Sequence, residues 1–239
     1  MDDGFIKKIN FKKKTKFIDV GANIGQTLIK VKSIDPDLEY IGFEPNPSCV
    51  HYLSKLISLN QFDNTHVLPI ALSTEDEILE LDHYNESIVD SSASIIKDFR
   101  PKNKVFRKSY IASMSINIKS SLNLIKNCSI IKIDVEGSEL EVLKSLYEIL
   151  ETYKPIVIIE ILPIYSFENE GRIQRQEQIF SILKNLSFMI FRILKSNNDF
   201  KGLKEINEIE IHNDLELCDY VLVHKHFKEN FYKEFNLSI

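Results

Sequence analysis

The residues that first call for a chemical explanation lie in FIDVGANIGQT, at positions 17–27. A short apolar run, typical of a buried strand, leads into Asp19, and Gly21, Asn23 and Gly25 then alternate with other residues. Glycines directly after a strand predict a tight turn in which backbone N–H and C=O groups can approach a ligand closely. The stretch therefore predicts a binding loop for a nucleotide-like molecule.

Two common ligands of such loops fit this spacing poorly. A dinucleotide fold uses G-x-G-x-x-G, and Asn23 stands where the glycine that approaches the pyrophosphate belongs. A P-loop needs a lysine and a hydroxyl residue after its last glycine, and Gln26 stands there instead. S-adenosylmethionine has no phosphate, and it needs one acid near its charged groups and another for its ribose diol. Asp19 and Glu44 are placed to supply them; the spacing of Glu44 also suits a dinucleotide, but the glycine pattern favours S-adenosylmethionine.

A second acidic group lies in IIKIDVEGSELEVLKSL. The β-branched run predicts a strand that ends near Asp134 and Glu136, and a helical pattern follows the next glycine. Ser138 is predicted to cap that helix, with Glu141 three residues later completing a capping box.

A third strand-like run, IVIIEIL, carries Glu160 near its end. In an open parallel sheet the carboxyl ends of neighbouring strands face one crevice, where ligands bind. We therefore expect five acidic residues along one rim: Asp19, Glu44, Asp134, Glu136 and Glu160.

Acids in this arrangement suit the transfer of a methyl group from a sulfonium to an alcohol. That reaction needs an aligned hydroxyl, and either a base that takes its proton or a metal that acidifies it. Asp134, Glu136 and Glu160 are the candidates, as a base or as ligands of a hard cation such as Mg²⁺. For Glu136 and Glu160, a helix cap and a backbone contact are the structural alternatives. His83, in the polar stretch DHYNES, is a rival base.

The elements that must position these residues are predicted by short β-branched runs that alternate with longer amphipathic ones. This order is typical of right-handed βαβ units around a mainly parallel sheet. The predicted strands lie near 16–20, 39–44, 65–71, 129–135, 155–161, 187–193 and 219–224. The predicted helices lie near 24–33, 47–60, 138–151 and 174–185.

Residues 75–125 interrupt this alternation with two further strand-like runs around a polar and basic stretch. We expect this excursion to cover the substrate; a surface insertion without function is the alternative. The length of 239 residues suits one domain, with a core at about 15–226. The C-terminal tail, 227–239, is either a capping helix or a contact with another subunit.

The composition, 44% hydrophobic and 27% charged, is typical of a folded protein. A net charge of −5 provides no basic field, so we do not expect nucleic acid as a partner. Cys49, Cys128 and Cys218 lack disulfide or zinc spacing, which indicates a reducing, cytoplasmic compartment. The longest apolar run is too short for a bilayer, so we expect neither a transmembrane segment nor a signal peptide.

With both acidic motifs in view, the chain resembles FkbM-type S-adenosylmethionine-dependent methyltransferases. The matching stretches are FIDVGANIGQT, IGFEPNP, LPIALS, IIKIDVEGSELEVLKSL and IVIIEI, in that order. The resemblance implies a class I, Rossmann-like α/β fold: a seven-stranded, mainly parallel sheet with an antiparallel last strand and helices on both faces. It also implies O-methylation, commonly of sugar hydroxyls in polysaccharides or glycosylated natural products.

Carried over by position, the resemblance implies a set of cofactor contacts: Asp19, Gly21, Asn23, Gly25, Glu44, Ala71 and Leu72. The serine-rich SSASI at 91–95 also matches a segment that precedes the substrate region in the family. Ser138 and the basic segment 97–108 depart from the family pattern, which leaves the acceptor open.

Two other functions compete with this one. A NAD(P)-dependent sugar oxidoreductase would also use a Rossmann-like fold, but the missing glycine and the lack of a Tyr-x-x-x-Lys pair speak against it. A non-catalytic cofactor-binding module within a glycan-assembly complex is the third hypothesis.

Overall fold

The computed structural model describes residues 3–6, 8–9, 15–97, 100, 102–116, 124–166, 168–197 and 199–237. Along the chain the strands are β1 (Lys16–Val20), β2 (Glu39–Phe43), β3 (Thr65–Leu68), β4 (Ala71–Leu72), β5 (Glu77–His83), β6 (Arg107–Met114), β7 (Ile130–Ile133), β8 (Ile156–Glu160), β9 (Phe188–Ser196), β10 (Asp199–Ile206) and β11 (Asp219–His224). The α-helices are α1 (Asp3–Ile6), α2 (Gln26–Ile34), α3 (Pro47–Asn60), α4 (Glu139–Ser145), α5 (Tyr147–Tyr153), α6 (Glu170–Asn185) and α7 (Lys228–Glu234).

The main sheet runs in the order β10-β9-β11-β8-β7-β1-β2-β3. Strands β8, β7, β1, β2 and β3 are parallel, and β11 is inserted antiparallel between β8 and β9. The predicted parallel sheet with an antiparallel last strand is therefore confirmed. The predicted count of seven strands is wrong, because β10 adds an eighth.

Strand β10 escaped the sequence prediction because it is a polar edge strand. Its sequence, DFKGLKEI, has a single β-branched residue and pairs only with β9, as the outer arm of a hairpin. A strand with one partner is half exposed and needs few apolar residues, so its pattern lacks the run that identifies a buried strand.

Helices cover both faces of the sheet, as predicted, and each face has its own core. Leu143 of α4 and Leu183 of α6 belong to the core on one face. Leu28 of α2, Leu53 of α3 and Phe231 of α7 belong to the core on the other. The described part of the tail is therefore a capping helix that contributes to the chain's own core.

The helix predicted at 138–151 is divided at Leu146 into α4 and α5. The predicted capping box is wrong. Ser138 precedes α4 but makes no side-chain cap, and Glu139 instead accepts a hydrogen bond from the backbone N–H of Gly137 at 2.8 Å. Glu141 is drawn away by Arg175 of α6, whose Nη1 lies 2.8 Å from its Oε1. The ion pair between Glu141 and Arg175 thus takes the place of the predicted capping contact.

The excursion supplies two strands of a second, three-stranded sheet in the order β4-β6-β5, in which β4 precedes the excursion. The two strands predicted within it are confirmed as β5 and β6. Residues 117–123 of the excursion, 98, 99 and 101 of its basic segment, and 238–239 of the tail lie outside the described residues. None of the described helices combines the length and the apolar character that crossing a bilayer requires.

Candidate functional site

The glycine turn after β1 brings two motifs into contact. Gly21 adopts a φ of 83°, and a Cβ at this position would lie 1.9 Å from the carbonyl oxygen of Asp134. Its N–H donates to the carbonyl of Phe43, at the end of β2, at 2.9 Å. Gly25, with a φ of 91°, would carry a Cβ 2.8 Å from a methyl group of Leu53. Only glycine fits at these two positions, because side chains there would be both strained and crowded.

Glu44 is fixed by the backbone on both sides of it. The N–H of Asn23 donates to its Oε2 at 2.8 Å, and the N–H of Asn46 donates to its Oε1 at 2.9 Å. Burial raises the pKa of Glu44 to about 7, against the opposing effect of these two hydrogen bonds. Each carboxylate oxygen still has a lone pair for a further donor.

Asp19 lies beneath the turn with no exposed surface. It accepts a hydrogen bond from the hydroxyl of Tyr40, and its Oδ1 lies 3.0 Å from Nζ of Lys132. The same Nζ lies 3.4 Å from Oδ2 of Asp134 and 3.4 Å from the carbonyl oxygen of Gly21. Lys132 therefore joins the ends of β1 and β7 from within.

Sequence reasoning missed Lys132, although a signal was present. It is the single charged residue in the run IIKI, which is buried along its whole length in β7. A lysine is seldom buried without a partner. A lysine inside a strand that ends in an aspartate could have indicated an internal ion pair.

Asp134, Glu136 and Glu160 form one acidic cluster. Each offers an oxygen within 4.8 Å of the others. Burial raises the pKa of Asp134, but the charge of Lys132 and a hydrogen bond with Glu160 together outweigh it, so the pKa is lowered overall. Burial and the charge of Asp134 raise the pKa of Glu160 to about 9. At neutral pH this pair therefore holds one proton, on Glu160.

Glu136 has a different environment. Its backbone is left-handed, with a φ of 49°, and its Oε2 lies 2.8 Å from Nη2 of Arg100. Arg100 belongs to the basic segment of the excursion, for which the sequence indicated no role. The three acids have the spacing of a metal site, yet Asp134 and Glu136 each already have a cationic partner.

Two adjoining cavities open around these residues. The first is largely apolar, with Glu44 on its wall, and its lining includes Phe43, Ile70, Ala71, Leu72 and Ile95. The second is polar, and its lining includes Gln26, Thr27, Lys30, Lys132 and Glu160. Five residues line both cavities: Gly21, Asn23, Ser91, Asp134 and Glu136. Four of the five acids expected along the rim line these cavities, and Asp19 lines neither of them.

The excursion contacts this junction. Asn46 donates to the carbonyl of Ile88 at 3.0 Å, and Ser94 donates from its hydroxyl to the carbonyl of Glu136 at 2.7 Å. Arg100 donates to the carbonyl of Ser92 at 2.6 Å. The first contact holds Ile88 against the segment after β2, and the second holds Ser94 against the second motif.

The structure does not place His83 at the site. Its ring is buried on the inner side of β5, where Nε2 lies 2.8 Å from the hydroxyl of Ser109 and Nδ1 lies 3.2 Å from Arg107. Burial and the charge of Arg107 lower the pKa of His83. It lines neither cavity, and its ring nitrogens are occupied, so the prediction of His83 as a base is wrong.

Comparison with known proteins agrees with this geometry. The model of the methyltransferase FkbM domain matches residues 19–200. The methyltransferase sdnD of Sordaria araneosa is 23% identical over 175 residues, which are 58% of this chain and 66% of that protein. The crystal structure of the methyltransferase FkbM from Methylobacillus flagellatus KT has 15% sequence identity and a TM-score of 0.53.

That structural match covers 90% of this chain but 45% of the M. flagellatus chain. The chain thus spans under two thirds of sdnD and under half of the M. flagellatus protein, and the structural likeness supports the class I methyltransferase fold. The family model, in contrast, spans about three quarters of the chain and includes both acidic motifs. This chain therefore belongs to the family defined by the methyltransferase FkbM domain.

Proposed function

We propose that this chain is an S-adenosylmethionine-dependent O-methyltransferase that acts on a hydroxyl of a sugar, in a polysaccharide or a glycosylated natural product. The observation that carries the proposal is the junction of an apolar and an acidic cavity at Gly21, Asp134 and Glu136. Membership of the methyltransferase family supports the reaction class, and the resemblance to FkbM-type enzymes supports the acceptor class.

The apolar cavity suits the adenosine end of the cofactor. Phe43, Ile70 and Leu72 offer apolar surface for the flat adenine ring, and Ala71 leaves room beside them. Glu44 stands on the same wall, with its two oxygens held by backbone N–H groups and a lone pair free on each. A carboxylate fixed in this way can accept one hydrogen bond from each of the two hydroxyls of a ribose.

The second, polar cavity suits a cationic group and disfavours a phosphate, because Asp134, Glu136 and Glu160 line it. S-adenosylmethionine carries its transferable methyl group on a sulfonium, which is an activated leaving group. Asp134 and Glu136 would lie beside that positive charge and attract it. A NAD(P) pyrophosphate at the same glycine turn would face these carboxylates and be repelled, which weighs against the oxidoreductase hypothesis.

Among the three acids, we assign Asp134 as the base that receives the acceptor proton. It lines both cavities, and Lys132 keeps it ionised. Glu136 is held by Arg100, and Glu160 retains its proton at neutral pH. Because the cationic partners are already present, Mg²⁺ is not needed to hold the cluster together, and we treat metal dependence as a question for experiment.

The remaining proposals concern the setting of the enzyme. Cys49, Cys128 and Cys218 are all free and buried, which suits the cytoplasm. One methyltransferase domain would span residues 1–239. The net charge of −5 favours a small-molecule or glycan acceptor over nucleic acid.

Thermal unfolding with four ligands tests the cofactor assignment. S-adenosylmethionine and S-adenosylhomocysteine should raise the melting temperature, because a ligand at ~100 times its Kd stabilises the native state by about 2.7 kcal/mol. NAD and NADP should have no effect, and each titration is repeated with Mg²⁺ to test metal dependence. Stabilisation by the nicotinamides alone would refute the proposal.

Replacing Glu44 tests the ribose contact and its pH dependence. The ionised carboxylate binds the diol and its pKa is about 7, so S-adenosylhomocysteine should bind more tightly as the pH rises through 7 and reach a plateau above it. Glu44→Gln should weaken binding roughly 10- to 100-fold above pH 7 and abolish this pH step, as calorimetry would measure. Glu77 is an exposed acid on β5, and Glu77→Gln is the control. It should leave the affinity for S-adenosylhomocysteine and its pH dependence unchanged. A pH step that survives in Glu44→Gln would contradict the assignment.

A pair of amide variants tests the base. Asp134→Asn should reduce methyl transfer by ~10²–10⁴. Glu160→Gln mimics the protonated form that Glu160 holds below pH 9, so it should keep most of the rate at pH 7. The measurement follows labelled methyl from S-adenosylmethionine into a panel of oligosaccharides and glycosylated natural products. The affinity for S-adenosylhomocysteine confirms that each variant still binds the cofactor product.

The wild-type result of that assay also separates the competing functions. Transfer to non-carbohydrate hydroxyls alone would contradict the acceptor class, and cofactor binding without any transfer would favour the non-catalytic module. An equal loss of the methyl-transfer rate in Asp134→Asn and Glu160→Gln would refute the assignment of different roles to the two acids.

A further inference from the structure

Arg192 is a buried cation without a counter-ion. It lies in β9 with 7% of its surface exposed. Among the residues that the structure describes, no carboxylate lies within ion-pair distance of it, and its Nε and Nη2 have no partner within hydrogen-bond distance. Its polar neighbour is Tyr220, whose pKa burial raises to about 12 against the opposing effect of Arg192. The nearby Asp219 of β11 is paired with Lys195 instead. A buried charge left in this state is costly, so its presence calls for an explanation.

The two free donors are the ones that bind oxyanions best. Nε–H and one N–H of Nη2 point in parallel from the same edge of the guanidinium, and this fork matches two oxygens of a carboxylate, phosphate or sulfate. The free fork therefore has the geometry of a bidentate anion contact.

The surroundings of Arg192 are suited to such a ligand. Tyr220, its register partner on β11, places its ring centroid 5.6 Å from the guanidinium carbon. His212 lies close enough that burial and the charge of Arg192 lower its pKa, so the ring is neutral at pH 7 and can donate one hydrogen bond. The carbonyl of His212 accepts from the N–H of Tyr165 at 3.2 Å, which fixes this loop against the next.

This cluster is separate from the methyltransferase site. Side chains alternate between the two faces of a strand. Arg192 shares the face of Ile190, which belongs to the core under α4, α5 and α6. Glu160 shares the face of Ile158, which belongs to the opposite core. Phe43 and Leu72 of the first cavity belong to the same core as Ile190. The separation therefore runs across the sheet, because β11, β8 and β7 lie between β9 and β1. Arg192, Tyr220 and His212 line neither cavity of the methyltransferase site.

We propose that Arg192, Tyr220 and His212 form a second binding site, which takes an oxyanion side-on at Nε and Nη2 of Arg192. The ligand is either a free inorganic oxyanion or the carboxylate of a small organic acid. The proposal does not depend on the methyltransferase activity.

Thermal unfolding in sulfate, phosphate, acetate and chloride, at matched ionic strength, tests this site and separates the two ligand sources. The wild-type protein should show a saturable rise in melting temperature with at least one oxyanion, beyond that in chloride. Sulfate or phosphate would identify an inorganic ligand, and acetate alone an organic carboxylate. Lys204→Met is the control, because Lys204 is the exposed partner of Arg192 on β10 and its loss changes the charge equally.

Arg192→Met should abolish the oxyanion effect while Lys204→Met retains it. In chloride, Arg192→Met should be at least as stable as the wild type, since the variant removes an uncompensated buried charge. If Arg192→Met does not fold, Arg192→Lys should raise the anion concentration at half-saturation, because it keeps the charge and loses the fork. No oxyanion effect in the wild type, or an equal effect in the Arg192 variants, would overturn the proposal and leave water as the partner of Nε and Nη2.

Discussion

The site depends on one buried ammonium group. Lys132 lies between Asp19 and Asp134, and its Nζ also contacts the carbonyl oxygen of Gly21. Burial opposes the charge of both carboxylates, although Asp19 has no exposed surface and a quarter of the Asp134 side chain is exposed. The ammonium of Lys132 offsets this effect at both. Removing one member of a buried charge group typically costs about 3–5 kcal/mol, since it leaves the others uncompensated. The cation therefore fixes the ends of β1 and β7 relative to each other, and with them the glycine turn.

Chemically similar carboxyl groups take different protonation states and contacts here, because each has different neighbours. Lys132 favours the ionised form of Asp134, Arg100 holds Glu136, and Glu160 is left to keep a proton. Glu44 is separated from this cluster and is fixed by two backbone N–H groups. One sheet edge thus presents a neutralised acid, an ionised acid and a carboxylate that we propose binds the ribose, within adjoining cavities. The excursion completes the arrangement, because it supplies Arg100 and contacts the junction.

The sequence predicted well what depends on local pattern and poorly what depends on distant partners. Buried parallel strands have β-branched runs, so their ends and the acids at those ends were predictable. The polar edge strand β10 has no such run and was missed. The predictions of a cap at Glu141 and of a base at His83 were wrong for the same reason. Glu141 binds Arg175 and His83 binds Ser109, and both partners are distant in sequence. The roles of Lys132 and Arg100 likewise appear only when the chain is folded.

Calorimetric titration of S-adenosylmethionine into the wild-type protein and Lys132→Met tests the central claim most directly. The wild-type protein should bind one equivalent. The variant, confirmed as folded by circular dichroism, should bind far more weakly, because Asp19 and Asp134 then repel each other and the turn at Gly21 loses its support. Equal affinity in the two proteins would contradict the claim, because it would show that the glycine turn keeps its binding geometry without the buried cation.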